Sequence, residues 1–329
     1  MTSVLLTGGA GFIGSHLARY ILEHTDWSVV VLDRLDPAGD QRRLAPLVER
    51  FPRRMGIVWH DLRAAINPDR LRSYGDFRYV AHLAAGSHVD RSVRDPVGFV
   101  MDNVLGTAHL LEYVRQHQPH CEKALYFSTD EVFGPAAEGE VFDELARFNP
   151  ENPYAASKAG GEALCPAYAA QYGMPLVVSH CSNAYGPMQD REKFIPLAAE
   201  KIRTEQLVQI HARAGKPSSR LYIHVDDVSR AVLTILTKGG VIHDPNSGRY
   251  NIVAAEELSN LLVAEMIADA LGKPLRAELV ENPPNRPKPD MRYALSGQRL
   301  EALGWAPEVP FDAGLRDALG LYEIQHHHV

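Results

Sequence analysis

The chain contains 329 residues, of which 45% are hydrophobic and 23% are charged, and its formal net charge is −7. This is the composition of a soluble globular protein, and the length allows one large domain or two ordinary ones. Lysine and arginine are scattered along the chain rather than concentrated in one stretch, which argues against a nucleic-acid partner.

The N-terminus leads directly into a strand, Val4-Leu5-Leu6, without the basic region and long apolar segment of a signal peptide or a membrane span. Cys121, Cys165 and Cys181 lack metal-ligand spacing, and we expect reduced thiols. We therefore predict a cytoplasmic protein with no membrane partner and no metal. The run His326-His327-His328 is interpreted as a frayed tail or tag remnant rather than a metal site.

A strand from Ser3 to Thr7 leads into the glycine-rich turn GGAGFIG at residues 8–14 and then into a helical pattern. Glycine is needed there because a Cβ atom would block the approach of a pyrophosphate to the amides at the helix N-terminus. The glycine pattern alone is weak, but a second strand ends at Asp33, about twenty residues on, as in dinucleotide-binding folds. The dinucleotide contacts predicted in this turn are Gly8, Gly11, Phe12, Ile13 and Gly14.

The residues after the second strand bear on the choice between NAD and NADP. Asp33 would accept hydrogen bonds from the adenosine ribose and would repel a 2′-phosphate, which favours NAD. Arg34 is the counter-argument, because a neighbouring arginine can accommodate the phosphate of NADP. We predict NAD, and we leave open both the use of NADP and a purely structural Asp33 that caps the next turn.

Two further strands are predicted at residues 57–59 and 79–83. Asp61 and Leu62 follow the first of them, where they could meet the adenine, although Asp61 could equally cap a helix. The second strand ends in the small residues Ala84-Ala85-Gly86-Ser87, which allow a ligand close to the backbone. A long helix follows, from about Pro96 to Gln116. The further cofactor contacts predicted here are Asp61, Leu62, Leu83, Ala84, Ala85, Ser87 and Asp102.

The fifth strand, Ala124-Leu125-Tyr126-Phe127, runs into the polar sequence STDEVFG at residues 128–134. Ligands bind at the carboxyl ends of strands in open α/β sheets, so Thr129, Asp130 and Glu131 are candidate site residues. Neighbouring residues on a strand face opposite sides, so both carboxylates can serve one substrate only if the strand has ended by Asp130. An exposed acidic loop tip is the alternative. The alternation of strands and helices predicts an α/β fold with a Rossmann-like, doubly wound parallel sheet.

Tyr154 and Lys158 lie four residues apart at the start of a helix predicted to run to about Tyr172, so their side chains share one face. A phenol with a pKa of ~10 must lose ~3 units, worth about 4 kcal/mol, to act as a base near neutrality. One ammonium at ~4 Å in an effective dielectric of ~20 supplies about that much. The pair fits a general base with its activating cation, although the same spacing occurs by chance on ordinary exposed helices.

Beyond Asn183 the regular alternation gives way to prolines, isolated strands and polar loops, which we interpret as a smaller C-terminal substrate-binding lobe. The strand and helix from Leu221 to Leu236 are expected to return to the sheet. Prolines at positions 283, 284, 287 and 289 predict a rigid extended connection. We therefore predict a cofactor-binding domain at residues 1–182, rejoined by about residues 221–254, and a substrate-binding lobe at residues 183–329.

The glycine turn, Thr129, and Tyr154 with Lys158 resemble the extended short-chain dehydrogenase/reductase superfamily. Within it, STDEVFG at residues 128–134 and NPYAASKAG at residues 152–160 are similar to nucleoside-diphosphate-glucose 4,6-dehydratases, above all the dTDP-glucose 4,6-dehydratase family. The similarity spans nearly the whole chain. Gly86, Ala184 and Pro289 depart from the family pattern at the nucleotide and cofactor periphery, so the base stays open between thymine and uracil.

The resemblance implies an NAD-dependent dehydration of a nucleotide-linked glucose. Tyr154 would remove the C4 hydroxyl proton while hydride passes to NAD, and the resulting ketone would acidify the hydrogen at C5. Glu131 would take the C5 proton, Asp130 would protonate the departing C6 hydroxyl, and hydride would return to C6. Close like charges separate their titrations, which suits a pair with one ionised and one protonated member. The implied catalytic residues are Thr129, Asp130, Glu131, Tyr154 and Lys158.

The resemblance also implies a set of contacts to the nucleotide sugar. Arg220 has the firmest physical argument, since an arginine fork pairs with phosphate, whereas Lys193 could equally be a solvated surface lysine. Relatives commonly pair through the two helices that begin here near Pro96 and Tyr154, so we expect a homodimer. The implied substrate contacts are Ser87, Thr129, Asn183, Lys193, Phe194, Gln209, His211, Arg220, Asn251 and Arg286.

Two other functions remain open. A nucleotide-sugar 4-epimerase or decarboxylase uses the same tyrosine, lysine and nicotinamide oxidation at C4, but it needs no acid and base at C5 and C6. Asp130 and Glu131 therefore discriminate against it. A non-catalytic sensor of nucleotide sugar or NAD would not need the five catalytic residues, and a turnover assay would separate it from an enzyme.

Overall fold

The computed structural model describes residues 2–36, 38–281 and 290–321, so the predicted contact Arg286, the proline-rich connection and the C-terminal histidines lie outside the described residues. The strands are β1 Ser3–Thr7, β2 Ser28–Asp33, β3 Met55–Trp59, β4 Tyr79–His82, β5 Lys123–Thr129, β6 Leu176–Cys181, β7 Asn183–Tyr185, β8 Val208–Arg213, β9 Lys216–Pro217, β10 Ser219–His224, β11 Arg249–Ile252, β12 Glu257–Ser259 and β13 Ala277–Val280. The helices are α1 Phe12–His24, α2 Ala45–Arg50, α3 Val89–Arg94, α4 Pro96–Val100, α5 Gly106–His117, α6 Pro153–Tyr172, α7 Phe194–Arg203, α8 Val225–Lys238, α9 Asn260–Leu271, α10 Gln298–Glu301 and α11 Phe311–Ala318.

Seven parallel strands form the central sheet in the order β11-β6-β5-β4-β1-β2-β3. Strand β1 pairs with both β2 and β4, so the direction of winding reverses between β1 and β4. A reversal of this kind opens a crevice at the carboxyl ends of the strands, where ligands bind. The predicted α/β fold with a doubly wound, Rossmann-like sheet is confirmed.

Helices cover both faces of the central sheet, which is why strands such as β1 and β5 are buried along their whole length. On one face, Leu17 and Ile21 of α1 pack with Val228 and Ile235 of α8. Residues of α5 and α6 form the corresponding apolar layer on the other face. The sheet is therefore held rigidly between two layers, with its strand ends left accessible.

A smaller unit follows along the chain, built from two three-stranded sheets in the orders β12-β10-β7 and β13-β8-β9. Its own apolar cluster joins α7, α9 and α11 through residues such as Ile195, Ile202, Ile267 and Phe311. This unit lies after β6 in the chain, so it is positioned next to the carboxyl ends of the central strands.

One prediction about the central sheet is wrong. The strand expected to return there near Leu221, β10, pairs instead with β7 in parallel and with β12 in antiparallel orientation. The strand that extends the central sheet is β11, which pairs with β6 along Arg249–Ile252. Strand β10 begins with the polar residues Ser219 and Arg220, which suit a cavity wall better than a strand covered on both faces. Helix α8 does pack against the central sheet, as expected.

The predicted helix from Pro96 to Gln116 is present but is interrupted by a π-helical turn at Met101–Leu105. This turn buries Asn103, whose amide accepts a hydrogen bond from Gly86 N at 2.8 Å and donates to Ser157 Oγ at 2.8 Å. The loop after β4 is thereby joined to α6. Turns of this kind often occur where a helix contributes to a functional site.

Helix α6 has the bounds that the sequence predicted. It begins with Pro153 after the cap Asn152, whose side chain accepts a hydrogen bond from Ala155 N at 2.8 Å, and it ends before Gly173 in the left-handed conformation. Among the described residues, no helix combines the length and the apolar character needed to cross a bilayer.

Candidate active site

A cavity of about 620 Å³ opens at the carboxyl ends of the central strands and is closed on its far side by the smaller unit. Among the described residues, every predicted cofactor, substrate and catalytic residue except Asn251 lines it. The predicted site residues, which lie far apart in the chain, therefore line one cavity. No group of three potential metal ligands is close enough to hold a metal within the described part of the chain.

The glycine turn lies at the bottom of this cavity, where β1 passes into α1. Gly8 has a φ of +73°, and a Cβ atom on it would lie 2.6 Å from Ala84 N. A Cβ atom on Gly14 would lie 2.2 Å from Gly8 O. Glycine is therefore required for the turn to pack against the loop after β4 and against itself, which leaves the N-terminus of α1 facing the cavity.

The end of β2 is tied to the same turn by Asp33. Its Oδ2 accepts a hydrogen bond from Ala10 N at 2.9 Å, and its Oδ1 accepts one from Leu35 N at 2.8 Å. Asp33 therefore has the turn-capping function that the sequence left open, and its carboxylate also lines the cavity. Asp61 does not cap a helix, because its Oδ1 accepts a hydrogen bond from Arg63 N at 2.9 Å within a turn.

The acidic pair follows the last residue of β5. The strand ends at Thr129, and Asp130–Phe133 form a 3₁₀ turn, so the condition that the strand ends before Asp130 is confirmed. Thr129 Oγ1 lies 3.1 Å from Asp130 Oδ1, and Glu131 Oε2 accepts a hydrogen bond from Asn152 Nδ2 at 2.8 Å. Asp130 is only 5% exposed, so the interpretation as an exposed acidic loop is wrong for this residue.

Burial and nearby negative charge make both members of this pair easier to protonate. Burial, followed by the charge of Glu131, raises the pKa of Asp130 to about 7, although the charge of Arg220 opposes the shift. Burial, followed by the charge of Asp290, raises the pKa of Glu131 above its ordinary value. At neutral pH the two carboxyl groups can therefore carry a proton between them, which is the state required for one acid and one base.

Tyr154 and Lys158 project from the first turns of α6 and are both buried. Lys158 Nζ donates a hydrogen bond to Phe127 O at 2.6 Å and lies 4.3 Å from the centre of the Tyr126 ring. Burial lowers the pKa of Lys158 to about 8, and the charge of Glu162 opposes this shift. The interpretation of the pair as an ordinary exposed helix is therefore wrong.

The same burial acts on the phenol in the opposite direction. Burial, followed by the charge of Glu131, raises the pKa of Tyr154, and a hydrogen bond with Thr129 opposes the shift. The side chain is thus held protonated until positive charge is supplied to the cavity. Ser157 Oγ donates to Tyr154 O at 2.7 Å and also accepts from Asn103, so the backbone of this turn is fixed by the π turn.

The predicted contacts on the substrate side line the same cavity, but two of them are already engaged. Arg220 donates to Ser219 O at 2.7 Å and to Asp290 O at 2.9 Å, and its guanidinium lies 5.1 Å from the centre of the Tyr293 ring. Lys193 Nζ donates to Ser87 O at 3.3 Å. The other predicted contacts along the wall formed by the smaller unit are Asn183, Phe194, Gln209 and His211, and the predicted contacts Ser87 and Thr129 line the cavity on the side of the central sheet.

The structure places Asn251 away from the cavity, which corrects its prediction as a substrate contact. Its side chain is fully buried, with Oδ1 3.0 Å from His180 Nδ1 and Nδ2 donating to Ser296 O at 3.0 Å. An amide side chain that was not predicted but lines the cavity is that of Asn260, the first residue of α9, which bonds to Tyr222 Oη and Ser218 Oγ. A serine cap directly before it, Ser259, was the available signal for a helix start at that amide.

Sequence reasoning also missed two cavity residues near the C-terminus, Asp290 and Tyr293. The charge of Asp290 acts on Glu131, and Tyr293 has its pKa raised by burial and then by the charge of Glu131. Neither lies near the glycine turn or the catalytic motifs in sequence. No local pattern marked them.

Comparison with known proteins agrees with this geometry. The family model described as GDP-mannose 4,6 dehydratase matches residues 5–318. A dTDP-glucose 4,6-dehydratase from Mycolicibacterium smegmatis is 36% identical, over 97% of this chain and 92% of the relative. The crystal structure of the dTDP-glucose 4,6-dehydratase from Streptomyces venezuelae with NAD bound is 32% identical, with a TM-score of 0.85 over 98% of this chain and 97% of that one.

A UDP-glucose 4-epimerase from Thermus thermophilus, solved with NAD, is also 32% identical, with a TM-score of 0.83 over 97% of this chain and 98% of that one. Fold and identity alone therefore do not separate dehydratases from epimerases. Because the family model covers most of the chain and relatives match it nearly end to end, the chain belongs to the GDP-mannose 4,6 dehydratase family, within the extended short-chain dehydrogenases/reductases.

Proposed function

We propose that the protein is an NAD-dependent nucleotide-sugar 4,6-dehydratase, which converts dTDP-glucose or UDP-glucose to the 4-keto-6-deoxy sugar. The observation that carries the proposal is the position of Asp130 and Glu131. They follow β5 directly, line the cavity, and act electrostatically on Tyr154. A 4-epimerase needs proton transfer at the C4 oxygen alone, so it gives no reason for a second acid and base at this place.

The residues at the N-terminus of α1 fit NAD. The turn at Gly8 and Gly14 has no space for a Cβ atom, so backbone amides can approach a pyrophosphate closely, and Asp33 lines the cavity where the adenosine ribose would lie. When bound, NAD supplies the acceptor for the C4 hydride of the sugar and returns that hydride to C6.

Tyr154 is the proposed base for the C4 hydroxyl. Its pKa is raised by burial in the protein alone, so it needs positive charge nearby to ionise. Lys158, which lies on the same face of α6 and has a pKa of about 8, is the proposed source of one such charge. Thr129 is proposed to hold the phenol and the sugar hydroxyl in line, because it is hydrogen-bonded to the tyrosine.

Glu131 and Asp130 are the proposed base and acid for the loss of water. Once C4 is a ketone, the hydrogen at C5 is acidic, and Glu131 removes it as a proton. The C5–H electron pair forms the C5–C6 double bond, and the C6–O bond breaks as Asp130 protonates the departing hydroxyl, so water leaves. Asp130 can hold that proton because its pKa is raised to about 7. After hydride returns to C6, C5 regains a proton.

The remaining proposed substrate contacts are those that line the cavity on the side of the smaller unit, with Asn260 in place of Asn251. We propose that the central sheet with α8 and β11 forms the cofactor-binding domain and that the smaller unit covers the substrate. The three cysteines are free, as expected of a cytoplasmic enzyme.

We also propose a homodimer that pairs through α4, α5 and α6. The support is the exposure of apolar side chains in α4 and the π turn that follows it, where Val97, Val100, Met101 and Leu105 are 69%, 50%, 39% and 37% exposed. Apolar side chains exposed to this extent in one region are typical of protein interfaces.

The test is incubation of the purified protein with dTDP-glucose, UDP-glucose and GDP-mannose in heavy water, with product analysis by mass spectrometry and NMR. We expect a 4-keto-6-deoxy product from at least one of the two glucose nucleotides, with deuterium at C5. A product epimerised at C4, or a dehydrated product without deuterium at C5, would contradict the proposal.

A further inference from the structure

Arg34, the residue after Asp33, left the choice between NAD and NADP open in the sequence. The structure shows which carboxylates its guanidinium contacts. Its Nη1 donates to Asp102 Oδ1 at 2.6 Å and its Nη2 donates to Asp102 Oδ2 at 2.9 Å. Nη2 also donates to Asp36 Oδ2 at 3.0 Å. The guanidinium therefore presents both of its terminal nitrogens to carboxylates of the protein itself.

Asp102 comes from the π-helical turn on the opposite wall, 68 residues from Arg34 in the chain. Its side chain is only 9% exposed, and its Oδ1 also accepts a hydrogen bond from Arg63 Nε at 2.6 Å. Although burial opposes the shift, hydrogen bonds from Arg34 and Arg63 lower the pKa of Asp102, so it stays ionised at neutral pH. One buried carboxylate thus holds both arginines at this end of the cavity.

We propose that Asp102 determines cofactor specificity, by keeping Arg34 paired and so denying the 2′-phosphate of NADP its cationic partner. The inference rests on the cofactor site proposed above, in which the adenosine ribose lies at the end of β2. It goes beyond that proposal, because an arginine at this position would otherwise favour NADP.

The charges around Arg34 explain the discrimination. Asp33, Asp36, Asp61 and Asp102 line this end of the cavity. A 2′-phosphate carries roughly −1.5 to −2 charges near neutral pH, as phosphate monoesters do. It would meet these carboxylates, and it could gain Arg34 only by breaking a bidentate pair and leaving Asp102 buried with less compensation. The 2′-hydroxyl of NAD carries no charge and encounters neither cost.

The experiment measures equilibrium binding of NAD and NADP to the full chain freed of bound nucleotide, by competition with the fluorescence of bound NADH. In the wild type we expect NADP to bind at least about tenfold more weakly than NAD. A tenfold ratio of dissociation constants corresponds to the free energy of roughly one charge-assisted hydrogen bond. Asp102→Asn keeps the shape of the side chain but removes its charge, and it should reduce the ratio of the two dissociation constants about tenfold or more.

Two further variants make the result specific. Adding Arg34→Ala to Asp102→Asn should abolish the gain in NADP affinity, because the gain is attributed to the guanidinium of Arg34 and not to that of Arg63, which Asp102 also holds. Asp69→Asn is the matched control, since Asp69 is an exposed aspartate paired with Arg72 away from the cavity, and it should leave the ratio unchanged.

Wild-type protein that binds NADP as tightly as NAD would overturn the inference, and this measurement does not depend on any variant folding. An unchanged ratio in Asp102→Asn, with NAD affinity retained, would overturn it as well. If NADP is discriminated and Asp102→Asn reduces the ratio as expected, but no nucleotide sugar is dehydrated, the inference stands and the proposed function falls. If dehydration is normal while Asp102→Asn leaves the ratio unchanged, the proposed function stands and this inference falls.

Discussion

Two sets of carboxyl groups near helix α6 differ in their electrostatics. At the end of β5, Asp130 and Glu131 line the cavity, and both have their pKa values raised, first by burial. On α6 itself, Glu162 is only 1% exposed, yet its pKa is lowered, because the charge and hydrogen bonds of His180 outweigh burial. Asp130 and Glu162 are buried to nearly the same degree, so the partner determines the outcome.

The partner of Glu162 is fixed by a chain of contacts. His180 Nε2 lies 3.0 Å from both oxygens of Glu162, and its Nδ1 lies 3.0 Å from Asn251 Oδ1. Because the amide nitrogen of Asn251 donates to Ser296 O, its oxygen is the atom that faces the ring. Both ring nitrogens of His180 therefore face acceptor oxygens. Among the described residues, Asp130 and Glu131 form no ion pair, and the charge of Arg220 only partly offsets the rise in their pKa values, which suits them to exchange protons.

The largest expected effect is on turnover, and it comes from neutralising Glu131 at the end of β5. In Glu131→Gln we expect turnover to fall by about 10²–10⁴-fold, the usual contribution of a general base. NAD binding should be retained, since Glu131 is proposed to act at C5 of the sugar. NADH should accumulate after substrate is added, because oxidation at C4 proceeds while elimination does not, and absorbance measures this directly.

Glu138→Gln provides the matched control for that variant. Glu138 is 91% exposed and pairs only with Lys216 among the contacts described, so the same chemical change there should leave turnover unchanged. Near-normal turnover in Glu131→Gln would remove the reason for preferring a dehydratase over an epimerase.

The next largest effect is expected at Glu162, which is paired with His180. Glu162→Gln removes one partner of a buried ion pair, and we expect it to reduce the free energy of unfolding by about 3–5 kcal/mol. Urea denaturation of the wild type and the variant measures the change. Turnover should fall too, because the charge of Glu162 raises the pKa of Lys158.

The double variant Glu162→Gln with His180→Gln measures the interaction energy between the two side chains, apart from what each contributes alone. Removing both charges should cost less than the sum of the single variants, with a coupling of about 1 kcal/mol or more. Strictly additive losses would show that the two side chains contribute independently, and the contrast with Asp130 and Glu131 would then not arise from pairing.

The comparison also shows which features the sequence could predict. The start of α6 at Pro153 and the shared face of Tyr154 and Lys158 follow from local rules of periodicity and capping, so they were predicted correctly, whereas the strand predicted at residues 124–127 extends further, to Thr129. The glycine turn was also predicted from local sequence, although part of its requirement arises outside residues 8–14, since a Cβ atom on Gly8 would meet Ala84 N.

Partnerships between distant residues could not be predicted in this way. The pairs Arg34–Asp102 and Glu162–His180 join different elements, and nothing in either local sequence indicates the partner. The misplacement of Asn251 has the same cause, since its neighbourhood depends on which strand β11 joins. Tertiary structure determines these contacts, and the contacts determine which buried carboxyl groups have a partner that offsets the cost of burying their charge.

The smallest expected effect concerns stability and its pH dependence at Asp130. The native pKa of about 7 lies above the ~3.9 of an unfolded aspartate, so the native state holds a proton that the unfolded state releases between these values. The contribution of Asp130 to stability is therefore present at acidic pH and is lost as pH rises towards about 7. Asp130→Asn removes this ionisation, and at pH 8 we expect it to gain roughly 1–3 kcal/mol relative to wild type, a gain absent at pH 4.

Melting temperatures of wild type and Asp130→Asn at the two pH values measure this difference, with Asp69→Asn as an exposed control that should show no such trend. Turnover of Asp130→Asn should fall sharply, because an amide cannot protonate the departing hydroxyl. Stability and activity would then change in opposite directions, as expected where an unpaired buried acid is retained for chemistry. An equal difference in melting temperature at both pH values would mean that Asp130 is not protonated in the native state, and it could then not be the acid.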